Sequence, residues 1–519
     1  MRTLGTLPSL RTSRNPLVAF GFFVVVIYLA YNAAGSIVAD DFTGMAYAAI
    51  VVVGGAVVLA ILNDWRTGLY ILIAWILFED FVRKYLGNNM AIYFAKDALA
   101  IILYFSFFRA RLANRLEKFR IPFRIPLLLF FWLGVMQMFN PASTSIFFGL
   151  LGIKIYFLYV PLIYVGYALI ESEVDLYRFF SYVSVLILIV ASLGIAQSII
   201  GPTFLNPAHL QEDIRELSTL YRVASSGAMA YRPTSVFVSA GRFQDFLQLG
   251  WLISLAFGSY LFLCSRYDRT LAFTTLSVVS VASLLSTSKG VFLWILGITL
   301  IFAAGFLWGA PWRQREATRA LRAIQRTVLG VGIAIILLSA LFPEELGSRL
   351  LFYSDTLMPN SPTSELVERM KNYPLANLEY AFTFPRWPYG YGIGTVSLGG
   401  QYVTRIMHAT PMRIGVESGF GDLMLELGVA GLILWIVLGF SIAKSAWKVV
   451  KELRSTPWFP LAFAIWLYAI FLFFPQMFLG FSVYQDYILN SFLWLLLGIL
   501  YRLRTFANPI RVVQVPRKS

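Results

Sequence analysis

Apolar runs of about 16 to 23 residues, the length that crosses a bilayer core, recur along the whole chain, with basic residues clustered between them. They sit at 17–32, 46–63, 67–82, 92–108, 125–139, 148–170, 178–200, 246–264, 271–287, 290–309, 327–342, 423–443, 459–480 and 488–501. A soluble chain carries roughly a quarter charged residues; here the share is 13%, against 58% hydrophobic. The expected fold class is therefore an all-α polytopic membrane protein of about fourteen transmembrane helices, forming one membrane domain over residues 1–519.

The basic clusters orient those spans. With the N-terminus and its Arg2, Arg11 and Arg14 inside, alternation puts Arg109, Arg111, Arg115, Lys118, Arg120 and Arg124 inside too. The same holds for Arg313 to Arg326, for Lys444 to Arg454, and for the tail with Arg502, Arg504, Arg511, Arg517 and Lys518. This is the positive-inside pattern, with both termini cytoplasmic. It also accounts for the formal net charge of +15 without nucleic acid: basic loops face anionic lipid. The first run reads as an uncleaved signal anchor, although the small residues Ala33 to Ser36 follow it.

Cys264 is the single cysteine, and His209 and His408 are the two histidines. An intramolecular disulfide or a multi-histidine metal site is therefore not expected, and no cofactor is predicted.

Two long segments, 201–245 and 342–422, fall outside the membrane on the non-cytoplasmic side. Loops of this length between packed spans are functional or disordered, and their aromatic content argues for order; short helices are expected in them, for example over 364–373. The first loop carries Arg215, Arg222, Arg232 and Arg242. A guanidinium is a planar, permanently charged fork that suits phosphate oxygens. Arg215 and Arg242 are read as pairing with nearby carboxylates or reaching headgroups. Arg232, within Tyr231-Arg232-Pro233-Thr234-Ser235-Val236-Phe237, is read as functional. Lys289 in Ser286-Thr287-Ser288-Lys289-Gly290 must reach headgroups or point into a polar cavity.

The second loop contains Tyr389-Gly390-Tyr391-Gly392-Ile393-Gly394-Thr395, then His408, Arg413 and Glu417. No strand precedes the alternating glycines, so a dinucleotide fold is excluded; a tight backbone turn lined with tyrosine is expected. Trp387, Tyr389 and Tyr391 could stack on sugar faces or belong to the interfacial aromatic belt. Glu417 precedes the run beginning at Leu423, where a helix dipole favours a carboxylate and where it could accept a proton from a sugar hydroxyl. Glu426, nine residues on, points half a turn away and is not expected to share a site with Glu417.

The Arg232 segment, the Ser-Thr-Ser-Lys-Gly turn, the Gly390–Thr395 turn, and Glu417-Ser418-Gly419-Phe420 leading into Leu-Glu-Leu-Gly-Val-Ala-Gly at 425–431 together resemble the O-antigen ligase and O-antigen polymerase superfamily. The resemblance covers about residues 150 to 500. It implies a metal-independent glycosyltransferase at the outer face of the bacterial inner membrane. Such an enzyme takes a glycan from undecaprenyl diphosphate and passes it, generally with inversion, to a growing polysaccharide chain or a final acceptor. It implies that Arg232, Arg222, Lys289 and Arg413 bind the diphosphate, that Trp387, Tyr389 and Tyr391 meet sugar, and that Glu417 or His408 is the base. Glu417 stands where ligases carry a histidine, which moves the expectation toward a polymerase. Membrane lipid and other polysaccharide-assembly proteins are the implied partners. A transporter or flippase, and a non-enzymatic envelope scaffold, are the alternatives.

Overall fold

A computed structural model describes residues 42–86, 90–113, 116, 118–207, 220–223, 229–264, 269–311, 340–357, 376–397, 399–400, 403–404 and 414–507, with a few residues between 329 and 337. The chain divides into two compact units, Met1–Ile71 and Leu72–Ser519. The smaller contains α1 (Phe42–Asn63) and the first turns of α2 (Trp65–Tyr85). Asp64 caps α2, its carboxylate accepting from the Arg66 and Thr67 amides at 3.0 and 3.1 Å, which satisfies donors that a helix start leaves open.

The larger unit continues with α3 (Met90–Leu112), α4 (Arg124–Met138), α5 (Ile146–Phe157), α6 (Leu162–Leu169) and α7 (Glu173–Ile200). A hairpin of β1 (Tyr221–Val223) and β2 (Met229–Tyr231) follows. Then come α8 (Ala240–Leu263), α9 (Thr270–Leu285), α10 (Lys289–Gly309), α11 (Pro343–Leu357), α12 (Ala376–Ala381), α13 (Gly419–Glu452) and α14 (Phe459–Phe473). A 3-10 turn at Pro475–Phe478 and a one-turn helix, α15 (Ser482–Gln485), lead into α16 (Tyr487–Ala507).

Among the described residues, eight helical stretches are long and apolar enough to cross a membrane, so the fold is an all-α membrane protein, as expected. The expected count of fourteen is not reached. Val52–Asn63, Arg124–Met138 and Thr270–Leu285 are apolar but shorter, and at 1.5 Å per residue the 15 residues of α4 reach only about 22 Å. Trp65–Tyr85 ends in Glu79, Asp80, Arg83 and Lys84, too polar for a simple span. The expected run at 17–32 and part of that at 327–342 lie outside the described residues, as does the helical stretch expected over 364–373. Both expected loops contain ordered elements, and the described residues of the first include a β hairpin ahead of the start of α8.

Close helix contacts are made by small residues. Gly166 of α6 lies against the Leu495 backbone of α16, and Gly498 of α16 against the Ile163 backbone of α6; a Cβ at either position would collide. Where lipid replaces water, close packing of this kind is a main source of helix association.

The most constrained element is α13. Gly428 adopts φ 72°, ψ −174° in its interior, a conformation essentially restricted to glycine, and the helix is broken there. The segment 388–397 is inserted at the break. Tyr391 and Gly392 donate their amides to the Leu425 and Glu426 carbonyls at 2.7 and 3.0 Å, and Val429 donates to the Pro388 carbonyl at 3.0 Å. Gln137 Nε2 donates to the Tyr389 carbonyl at 2.8 Å, and Asn140 Nδ2 to that of Gly390 at 3.1 Å. Glu426, 0% exposed, accepts from Tyr156 Oη (2.7 Å), Ser397 Oγ (2.7 Å) and the Val396 amide (2.9 Å). The expected tight turn at 390–395 is thus present, and the sidelined Glu426 is the carboxylate that anchors it.

Gly394 has φ 88°, and a Cβ there would strike the Phe148 carbonyl of α5. Gly394→Ala should destabilise the protein by about 1–3 kcal/mol from backbone strain and more from the clash. Gly297→Ala, at a helical position where a Cβ meets nothing within 4 Å, should leave the melting temperature in detergent unchanged or slightly raised.

Candidate functional site

The Arg232 segment is built by the hairpin and by a sharp turn after it. Arg232 donates its amide to the Leu220 carbonyl at 2.7 Å, and Pro233 then ends the pairing by withholding a donor. The Thr234 and Ser235 amides both converge on Gln197 Oε1 of α7, at 2.8 and 2.7 Å. Lys84, at the end of α2, donates Nζ to Thr234 Oγ1 (3.0 Å) and to the Ser235 carbonyl (2.9 Å). Arg232 is half-buried, and its guanidinium donates to Gln244 Oε1 of α8 at 3.1 Å.

Gln244 passes the connection to the Ser286-Thr287-Ser288-Lys289 turn by donating Nε2 to the Ser286 carbonyl at 3.3 Å. Thr287 returns it, its hydroxyl donating to the Tyr231 carbonyl at 2.8 Å. Ser288 caps α10 by accepting from the Val291 amide, which places Lys289 on the helix's first turn. Its Nζ sits 4.8 Å from the centre of the Phe352 ring, a cation–π distance. Arg232 and Lys289, 57 positions apart by their numbers, therefore belong to one cluster.

α11 supplies the third side. Arg349, 2% exposed, donates to the Leu285 and Ser198 carbonyls at 3.2 Å each, and Tyr353 donates to the Leu284 carbonyl at 3.0 Å. Burial pushes the Tyr353 phenol up to about 12 and holds the Tyr231 phenol above its ordinary range as well. Both remain neutral hydroxyls at physiological pH. Among the described residues, Lys84, Arg232, Lys289 and Arg349 thus come from four separate segments to two turns, 234–235 and 286–289, that are themselves linked through Gln244 and Thr287.

A second charged layer adjoins this cluster. Arg242, on the first turn of α8, pairs with Asp80 of α2 and with Asp486 (2.6 Å) before α16. Arg83 pairs with Asp80 at 3.0 Å and Lys96 with Glu79 at 3.2 Å; Lys154 of α5 meets Asp97 of α3 at 2.6 Å. The pairing expected for Arg242 is present, though with Asp80 and Asp486 in place of its sequence neighbours.

Glu417 is exposed and lies two residues before α13, next to the Ser418 that caps it by accepting from the Gly421 amide. Its backbone carbonyl accepts from Asn377 Nδ2 at 3.3 Å. Trp387 and Tyr391 pack into an apolar cluster with Ala381, Met424 and Leu425, whereas Tyr389 presents a ring that is 79% exposed. His408 and Arg413 lie outside the described residues, and Arg222 is described only as backbone within β1.

Lys84, Gln244 and Arg349 were not singled out from sequence, and Glu426 was considered there only to be set apart from Glu417. Lys84 reads as the polar end of an apolar run, and Arg349 stands in no motif. Glu426 lies within an apolar run, where a lone carboxylate is itself a signal.

Comparison with protein-family models and with curated proteins returns no match for this chain.

Asp80→Asn removes the carboxylate that Arg83 and Arg242 share, leaving Arg242 with Asp486 and Arg83 with Glu79 as remaining partners, and should cost up to about 3–5 kcal/mol. Arg504→Ala, breaking the Arg504–Glu452 pair in which the arginine side chain is 45% exposed, should cost about 0–1 kcal/mol. Unfolding by denaturant in micelles checks the contrast.

Proposed function

We propose that this chain is a membrane glycosyltransferase. It moves a glycan from undecaprenyl diphosphate to a growing polysaccharide chain, or to a final acceptor, at the outer face of the bacterial inner membrane. The observation that carries this reading is the gathering of Arg232 and Lys289 with Lys84 and Arg349 about the linked turns at 234–235 and 286–289. A leaving diphosphate develops negative charge, and fixed donors aimed at that charge lower the barrier without reorganising. Arg222 and Arg413 are proposed to extend the set. Glu417 or His408 takes the proton from the attacking hydroxyl, and Tyr389 offers an exposed aromatic face to sugar. The two loops cap this site. The reading includes both termini cytoplasmic and partner proteins of polysaccharide assembly beside the chain.

A transporter is the second reading, favoured by the break in α13 and by the buried charges Glu79, Lys96 and Asp97. Broken helices and intramembrane ion pairs mark transport pathways in other proteins.

Deleting the gene and analysing lipid-linked and surface glycans by mass spectrometry separates these readings. Single repeat units accumulating without polymer indicate a polymerase. Lipid-linked polymer that never reaches its acceptor indicates a ligase. Glycans unchanged in both pools would sink the enzyme reading. Complementation with Arg232→Ala should lower transfer by about a hundredfold or more at unchanged protein level, and Glu417→Gln should do the same if Glu417 is the base.

A further inference from the structure

Beside the break in α13 lies a cavity of about 400 Å³, lined by Leu133, Met136, Phe139, Arg386 and Tyr389 among others. Gln137 and Asn140 also line it, but their amides are engaged with the Tyr389 and Gly390 carbonyls. The cation there is Arg386. It is exposed, it enters no ion pair among the described residues, and its own carbonyl accepts from the Tyr389 and Gly390 amides at 3.1 and 2.8 Å. The turn carrying it is therefore held rigidly.

The apolar side of the cavity continues along α4. Ile125, Leu128, Leu129, Trp132, Met136 and Phe139 are all exposed, and their spacing of three and four residues makes one stripe on the helix. Met136 and Phe139 belong to both the stripe and the cavity. An apolar track that ends at a guanidinium and an exposed tyrosine has the shape of an amphiphile, with a tail along the track and an anionic head at its end.

We propose that this groove binds an anionic phospholipid of the surrounding bilayer, its phosphodiester on Arg386 and one acyl chain along α4. The match in charge selects this occupant. One guanidinium balances a single phosphodiester and grips two of its oxygens. A diphosphate carries more charge than one arginine offers, and would be drawn to the Lys84–Arg232–Lys289–Arg349 cluster instead. The bound lipid closes the side of the inserted turn that α4 leaves open.

The test is native mass spectrometry of the full chain released from mild detergent, with phosphatidylglycerol, phosphatidylethanolamine or undecaprenyl diphosphate added singly. The wild type should retain one phosphatidylglycerol in preference to phosphatidylethanolamine. Arg386→Gln should reduce that retention about tenfold or more, as expected for losing a charge-assisted bond. Met136→Trp, which fills the groove without touching the charge, should reduce it too. Arg504→Gln, an exposed arginine elsewhere, should not. Retention that survives both Arg386→Gln and Met136→Trp overturns the proposal. So does an Arg386-dependent preference for undecaprenyl diphosphate over phosphatidylglycerol, which would make the groove a donor site.

Discussion

A backbone amide or carbonyl in an apolar medium has no water to turn to, and the break in α13 exposes several at once. Each group left unmet there costs several kcal/mol. The inserted segment 388–397 meets this demand by lending its own amides and carbonyls to the broken helix. Much else follows from that exchange. Tyr391 is drawn toward Leu425, Glu426 is turned onto Ser397 and Tyr156, and α4 and α5 are held against the insertion through Gln137, Asn140 and the Phe148 carbonyl.

Charge is handled by a similar rule at the other cluster. Cations that are expensive to bury are paired in one layer and bonded to neutral acceptors in the next. Arg242 and Arg83 share Asp80, while Lys84 and Arg349 lie against hydroxyl and carbonyl oxygens. Carbonyl and hydroxyl contacts fix where these two groups sit, and burial lowers the Lys84 ammonium to about 7 while Asp80 opposes that shift.

Much of this was legible in the sequence, and the remainder was illegible for physical reasons. Hydrophobic length reveals a membrane helix because the bilayer imposes it, so most expected runs coincide with helices. It does not by itself separate a helix long enough to cross from a shorter one such as Thr270–Leu285, because both are rich in apolar residues. The glycines at 390, 392 and 394 announced a turn because only glycine tolerates those dihedrals. The Leu-Gly-x-x-Gly stretch, by contrast, reads as an ordinary helix, and nothing local says that Gly428 breaks it. Arg232 and Lys289 stood out as charges among apolar neighbours. Their proximity depends on Gln244, a residue with no pattern of its own, and Arg349 depends on carbonyls that any sequence supplies.

The glycine contact between α6 and α16 has a consequence for how the protein is made. Asn490 donates to the Ile155 carbonyl 335 positions earlier in the chain, and Gly166 and Gly498 seat each helix on the other's backbone. The earlier helices must therefore wait in the bilayer, with that seat empty, until α16 has been synthesised and inserted. The α6–α16 contact, which joins segments more than 300 positions apart, is thus closed late in assembly.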